Sequence, residues 1–87
     1  MDPNWLTNFG EKLESHYAWP ALYTFKFIVP TGREKEVKHL FPNHTTMERL
    51  SKNGKYTSIT LNMMMPSSQA VIEVYQAASV IEGIIAL

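Results

Sequence analysis

The chain has no cysteine among its 87 residues, and its single aspartate is Asp2. Without cysteine there is neither a disulfide framework nor a thiolate site. A catalytic Ser-His-Asp triad would have to recruit an aspartate from the chain terminus, and a paired-aspartate site would lack its second carboxylate. We therefore expect that the protein is not an enzyme.

The chain also lacks an excess of charge of either sign and lacks a long apolar run. Lys+Arg and Asp+Glu number 8 each, so the formal net charge is zero, which makes a general nucleic-acid binder unlikely on electrostatic grounds. No apolar segment approaches the roughly 20 residues that a membrane span requires. The N-terminal segment "MDPNWLTNFGEKLESHY" has neither a basic nor an apolar leader region. We expect a cytoplasmic protein without a membrane segment.

Metal-binding and phosphate-binding motifs are also missing. His39 and His44 flank a predicted helix end but are not spaced as metal ligands. The four glycines are isolated from one another, so no glycine-rich phosphate loop exists. The segment "NMMMP" is better explained by methionine packing at a strand end than by a soft metal site. We expect no cofactor and no metal.

Hydrophobic periodicity predicts a helix and then a strand in the first third of the chain. Apolar residues recur at helical spacing up to Leu13, so a helix should end near Tyr17, with Asp2 as its cap. Residues 22–29 alternate in polarity, which predicts a strand. Its two faces carry Tyr23, Phe25, Phe27 and Val29 on one side and Leu22, Thr24, Lys26 and Ile28 on the other.

A short charged helix should follow this strand. Thr31 with Glu34 three residues later is a capping-box pattern, and Pro42 should end the helix. The apolar stripe of this helix consists of Val37, Leu40 and Phe41.

The second half of the chain predicts a hairpin, a helix and a final strand. Asn53-Gly54, a pair that readily adopts positive φ, lies between two strand-like segments. The second of these strands should bury Ile59, Leu61 and Met63 and expose Tyr56, Ser58, Thr60 and Asn62. The last helix should begin near Ser67 and carry an apolar stripe of Val71, Val74, Tyr75 and Ala78, and residues 83–87 should form the last strand.

This order of elements predicts an α+β fold. We expect a ferredoxin-like βαββαβ sandwich with a four-stranded antiparallel sheet and two helices on one face, preceded by an N-terminal helix. Residues 1–87 should form a single ferredoxin-like domain in which residues 1–17 are a helical extension. The other face of the sheet would then be open.

Several segments resemble the YbeD-like family of small bacterial proteins (domain of unknown function 493). They are "YAWPALYTFKFIV", "RLSKNGKYTSITLNMMMPSSQAVIEVYQA" and "GIIAL". The shared features include Phe25-Lys26, a Ser51-to-Ser58 run containing Gly54 and Tyr56, and a tyrosine in the last helix, Tyr75. The resemblance implies a ferredoxin-like fold similar to ACT regulatory domains, with no established enzymatic activity.

The basic hairpin is the candidate binding site. Three basic residues and one acid lie between Glu48 and Lys55, which gives this part of a neutral chain a local positive excess. The candidate binding residues for a ligand or partner are Lys26, Arg49, Ser51, Lys52, Lys55, Tyr56 and Ser58. Lysines at a turn more commonly keep a hairpin soluble and guard a strand edge, and that reading stays open.

Two functions follow as hypotheses. The first is a non-catalytic regulatory or adaptor module that self-associates as a homodimer and binds a small anionic metabolite or a protein partner. The alternative is single-stranded RNA binding on the open sheet face, as in RNA-recognition domains of the same element order. This alternative ranks lower because Ser58 occupies a position where such domains place an aromatic ring.

Overall fold

Within the described residues, the chain forms three helices and a four-stranded antiparallel sheet. The computed structural model describes the backbone of residues 3–87 and the side chains of residues 6–87. The elements in chain order are α1 (Pro3–His16), β1 (Ala21–Pro30), α2 (Glu34–Leu40), β2 (Met47–Leu50), β3 (Tyr56–Met65), α3 (Ser68–Ala78) and β4 (Ile85–Ala86). The predicted α+β class is confirmed, and the predicted cap Asp2 lies outside the described residues. None of the described helices is long and apolar enough to cross a membrane.

The sheet has the strand order β2-β3-β1-β4. β1 and β3 are its centre and pair over their whole length, from Ala21 opposite Met65 to Pro30 opposite Tyr56. β2 and β4 are the two edge strands, and each is antiparallel to its neighbour. The two strands with the clearest alternation therefore lie side by side, so their equivalent faces are continuous.

One face of the sheet is buried against the helices and the other is open. Phe25, Phe27 and Ile59 are fully buried, and Leu61 is almost so, which confirms the predicted apolar face of both central strands. The helices complete the same core with Leu13, Val37, Val71, Ile72, Tyr75 and Ala78. On the open face Leu22, Thr24 and Lys26 are exposed, as predicted.

The apolar stripe of α3 differs at one position from the prediction. Val74 is only half-buried, and Ile72 is buried in its place. The cause is α1, which packs beside α3: a Cβ on Gly10 would lie 3.5 Å from Cδ1 of Ile72. The α3 stripe therefore turns partly toward α1, which sequence periodicity within α3 does not reveal.

The predicted capping box at α2 is wrong. The helix begins at Glu34 after Arg33, which makes no side-chain capping bond. Thr31 is instead held by the loop residue before β3 and by β3 itself, because its N–H donates to the Lys55 carbonyl at 2.9 Å and its hydroxyl lies 3.3 Å from that of Thr57. The Glu34 carboxylate accepts a bond from the Gly32 N–H instead.

The hairpin between β2 and β3 turns through a longer loop than the Asn-Gly pattern predicts. Gly54 has φ of +73°, but Asn53 does not have positive φ, so the turn is not the two-residue type in which both residues do. The Asn53 side chain stabilises the loop, since its Oδ1 accepts bonds from the Lys55 N–H and the Ser51 hydroxyl. The hairpin itself is confirmed, and its turn type is not.

The last helix and last strand follow the prediction in outline. Ser67 caps α3 through its hydroxyl, which accepts a bond from the Ala70 N–H at 3.1 Å. β4 is shorter than predicted and contains only Ile85 and Ala86. Gly83 precedes it with φ of +77° and lies so close to Pro30 that an added Cβ would be 2.7 Å from the ring. This contact and the positive φ together fix where β4 begins.

Candidate functional site

A transverse row of four side chains crosses the open face near the hairpin. Strand register places Arg49 of β2 opposite Ser58 of β3, Ser58 opposite Ile28 of β1, and Ile28 opposite Ile85 of β4. Residues opposite one another in a sheet project from the same face. All four strands therefore contribute to one polar-to-apolar row that begins at a guanidinium and ends at an isoleucine.

A depression of about 560 Å³ surrounds this row, and we call it the hairpin groove. Its lining residues are Ile28, Arg49, Leu50, Ser51, Lys52, Tyr56, Ser58 and Ile85. The groove is open to solvent and is lined mostly by apolar atoms, with two cationic groups at its β2 and loop side. Its size lies within the range that holds a small organic ligand.

The structure brings five of the seven predicted binding residues into the hairpin groove, namely Arg49, Ser51, Lys52, Tyr56 and Ser58. Lys26 is on the same sheet face but lies opposite Thr60, two residues along β1 from Ile28. Lys55 is in the loop, and its carbonyl is bonded to the Thr31 N–H. Lys26 and Lys55 are therefore near the groove without lining it.

Three apolar lining residues, Ile28, Leu50 and Ile85, were not among the predicted binding residues. Ile28 was placed on the open face by the alternation of β1, but nothing local connects it to the hairpin. Ile85 reaches the groove only because β4 pairs with β1. Neighbouring residues of a strand project to opposite faces of the sheet, so one of the two isoleucines, Ile84 or Ile85, had to lie on the open face. This was the one sequence signal that could have placed Ile85 there.

The groove hydroxyls already hold the hairpin together. The Ser51 hydroxyl donates to the Asn53 side chain at 2.9 Å and accepts a bond from the Tyr56 N–H at 3.1 Å. The Ser58 hydroxyl donates to the Arg49 carbonyl at 3.4 Å. These bonds fix the positions of the residues around Arg49 and Lys52.

Positive charge is separated from negative charge across the sheet. Lys26, Arg49, Lys52 and Lys55 occupy the open face and the hairpin loop, and none belongs to an ion pair among the described residues. The acid of β2, Glu48, points to the other side, where its carboxylate is 2.7 Å from the Lys38 ammonium of α2. The remaining described carboxylates lie on the helices or the turn after α3: Glu11, Glu14, Glu34, Glu36, Glu73 and Glu82. A chain of zero net charge thus presents a cationic face.

Tyr56 is the one aromatic residue among the described residues of the open face, and it is 45% exposed. The aromatic side chains of β1, which are Tyr23, Phe25 and Phe27, belong to the buried face. The RNA-binding hypothesis requires that bases stack on several aromatic side chains of the open face. Among the described residues, Tyr56 is the single ring available there.

A larger depression of about 710 Å³ lies between α1 and α3. Its charged lining residues, Glu11 and Glu14, are acidic, and Glu14 already accepts a bond from the Ser68 hydroxyl. This depression follows the crossing of two half-exposed helices and contains none of the predicted binding residues. The hairpin groove has the more specific combination of groups, because free cations adjoin apolar side chains there.

Two buried tyrosines form a hydrogen bond in the core, away from the groove. The phenol oxygens of Tyr23 and Tyr75 are 3.0 Å apart. Burial raises the pKa of Tyr75 well above its ordinary value, and the bond to Tyr23 raises the pKa further. The Tyr75 phenol therefore stays neutral at physiological pH, and the pair joins β1 to α3.

In the comparison with protein families, a family described as "Protein of unknown function (DUF493)" matches residues 14–87. The match covers the sheet, α2, α3 and the end of α1. Neither the curated proteins nor the solved structures gave a match.

Proposed function

Because the chain belongs to the DUF493 family, whose function is unknown, we propose a function from the hairpin groove itself: the protein is a non-catalytic regulatory domain that binds a small anion with an apolar part. The observation that carries this proposal is the pairing of two free cations, Arg49 and Lys52, with the apolar side chains of Ile28 and Ile85 in one groove. The cations would bind the anionic group, and the isoleucines would cover the apolar part.

The charge distribution supports an anionic ligand. Arg49 presents a planar donor group that can bind a carboxylate or phosphate through two bonds. Lys52 adds a second cation at the loop side of the groove. Since neither has a carboxylate partner among the described residues, an anion entering the groove would displace no existing ion pair.

The hydroxyls support binding rather than chemistry. A serine nucleophile needs a neighbouring base to take its proton. The Ser51 hydroxyl donates to the Asn53 side-chain oxygen instead, and the Ser58 hydroxyl donates to a backbone carbonyl. We infer that both serines position the hairpin.

We also propose that the fold is ferredoxin-like and resembles ACT regulatory domains. The βαββαβ order that follows α1, together with the strand order β2-β3-β1-β4, supports this assignment.

Self-association through the open face is a further part of the proposal. Leu22 and Met64 face each other across β1 and β3, and they are 60% and 65% exposed. This apolar pair lies at the opposite end of the face from the hairpin groove, so a dimer formed there would leave the groove accessible. Sedimentation velocity at high micromolar concentration should show a dimer that Leu22→Glu dissociates. A strict monomer would remove this part of the proposal.

Ligand binding can be tested by NMR titration of the ¹⁵N-labelled protein with acetate, isovalerate and phenylacetate at constant ionic strength. We expect affinity to rise with the apolar part of the carboxylate, with shifts centred on Arg49, Ser58 and Ile85. Arg49→Ala should weaken isovalerate binding about tenfold or more, as the loss of a charge-assisted contact predicts.

Lys35, an exposed lysine on α2, provides the matched control for Lys52. Lys52→Ala should weaken binding of isovalerate, while Lys35→Ala should not. If isovalerate shifts no groove resonance, or binds Arg49→Ala as well as the wild type, the proposed ligand class is wrong.

A further inference from the structure

β2 has one free edge. It lies at the end of the sheet and pairs only with β3, and all four of its residues are exposed. The Ser51 N–H donates to the Tyr56 carbonyl at 2.8 Å, so hydrogen-bonded pairs recur at every second position along the antiparallel ladder. Arg49 therefore bonds to β3, whereas Glu48 and Leu50 direct their backbone N–H and C=O groups away from the sheet.

We propose that this free edge accepts an extended acidic segment of a partner protein as a fifth strand, an interaction that goes beyond binding a small anion in the groove. The backbone groups of Glu48 and Leu50 would supply the hydrogen bonds, as in other cases of strand addition. The segment would alternate acidic and apolar residues, because its side chains would project to the two faces of the sheet in turn.

Charge complementarity identifies the acidic positions of that segment. On the open face, the added strand would lie beside Arg49 and close to Lys52 at the loop end of β2, both without ion-pair partners among the described residues. An acidic side chain beside Arg49 would form a favourable cross-strand pair. The intervening residues would lie beside Leu50, which is 59% exposed and offers them an apolar contact.

A second copy of this chain fits the same edge poorly. Residues opposite one another in an antiparallel pair share a face, so two copies of β2 related by a two-fold axis must pair with one residue facing itself. The two registers of greatest overlap are centred on Glu48 or Arg49. Each places a charge directly opposite its own copy, which is destabilising. The occupant of this edge is therefore a different, acidic chain.

Glu48→Pro provides a direct test of the edge. Proline removes the N–H of Glu48, which faces away from β3, and proline is tolerated on an edge strand when that N–H faces solvent. The probe is a random linear peptide library displayed on phage and selected against the wild-type protein. Enriched peptides should alternate acidic and apolar residues, and synthetic copies should bind about tenfold more weakly to Glu48→Pro by fluorescence anisotropy.

Glu48→Ala is the matched control, because it loses the same carboxylate and its ion pair with Lys38 but keeps the N–H. It should bind the selected peptides within about twofold of the wild type, since an exposed ion pair contributes little. Arg49→Glu should bind them more weakly than either. Peptides without acidic residues, equal binding to Glu48→Pro, or no enrichment would overturn the proposal.

Amide exchange in the wild-type protein gives a second measurement that does not depend on the folding of a variant. A peptide added as a strand should slow exchange of the Glu48 and Leu50 amides, while exposed amides of the hairpin loop should be unaffected. Unchanged exchange at both positions in the peptide-bound protein would overturn strand addition.

A β2 dimer detected by sedimentation and lost in Glu48→Pro would show that a second copy of this chain occupies the edge, and it would overturn the proposal of an acidic partner. Isovalerate binding distinguishes the proposal of anion binding in the hairpin groove from the proposal of strand addition at the β2 edge. Because Glu48 does not line the hairpin groove, Glu48→Pro should still bind isovalerate.

Discussion

Arg49 and Ile85 lie at opposite ends of one transverse row on the open sheet face, although they belong to strands on opposite edges of the sheet. Ser58 and Ile28 connect them through three successive strand pairings. A cation and an apolar side chain thus come from distant parts of the chain into a single groove. Ligand affinity should therefore depend on the docking of β4 as well as on the basic hairpin.

The basic hairpin should contribute little to folding. Lys52→Ala with Lys55→Ala should change the free energy of unfolding by less than about 0.5 kcal/mol, because both side chains are exposed. Loss of isovalerate binding should come from Lys52 alone, since Lys55 does not line the groove. Urea titration and NMR titration of each single variant and the double variant measure both effects. Full retention of binding in the double variant would make these lysines only a solvated turn.

The face assignment of β1 predicts opposite effects at neighbouring positions. Phe27→Asp should prevent folding, because an unpaired charge in the core costs about 3–5 kcal/mol or more, and Phe27 is fully buried. Lys26→Asp introduces the same side chain on the open face and should leave a cooperative thermal transition. Circular dichroism melts distinguish the two. A Phe27→Asp variant that melts near the wild-type temperature would show that the core lies elsewhere.

Two glycines should respond oppositely to alanine. Gly83→Ala should destabilise the protein by about 1–3 kcal/mol, because positive φ is unfavourable for alanine and its Cβ would meet Pro30 at 2.7 Å. Gly10→Ala should stabilise α1 by up to about 1 kcal/mol, since the new Cβ makes an ordinary contact with Ile72. Urea denaturation measures both. Gly83→Ala should also weaken isovalerate binding through β4, and an unchanged affinity would contradict that coupling.

The tyrosine pair predicts a loss of stability at high pH. Since burial raises the pKa of Tyr75 in the folded state, the unfolded chain loses this proton first, and stability should fall as pH rises above the ordinary tyrosine value of about 10. Below that pH this contribution to stability is fully present. Tyr75→Phe should flatten the decline. Urea midpoints measured between neutral pH and the alkaline limit test this, and equal slopes in the wild type and Tyr75→Phe would contradict it.

Local pattern was sufficient for most of the fold. Alternation along β1 and β3 identified the buried face that contains Phe25, Phe27 and Ile59, because strand side chains alternate with a period of two. The cap at Ser67 was also predictable from the sequence, because serine is a preferred residue at a helix start, where its hydroxyl accepts a bond from a backbone N–H. These features depend on neighbours within a few residues of the same element.

Other features depended on contacts between distant elements. Thr31 fits a capping box, but its backbone is held by Lys55 of the hairpin loop and its hydroxyl by Thr57 of β3. The α3 stripe turns toward Ile72 because α1 packs beside it.

For the candidate site, the sequence by itself identified the basic hairpin and five side chains that line the groove. The tertiary structure alone decided that Ile28 and Ile85 join them and that Lys26 and Lys55 remain outside, because strand order and register determine which distant residues share a row. It also decided that Glu48 pairs with Lys38 and that Arg49 has no ion-pair partner among the described residues. The chain sets the charges and the periodicity, and the pairing of its strands sets which of them meet.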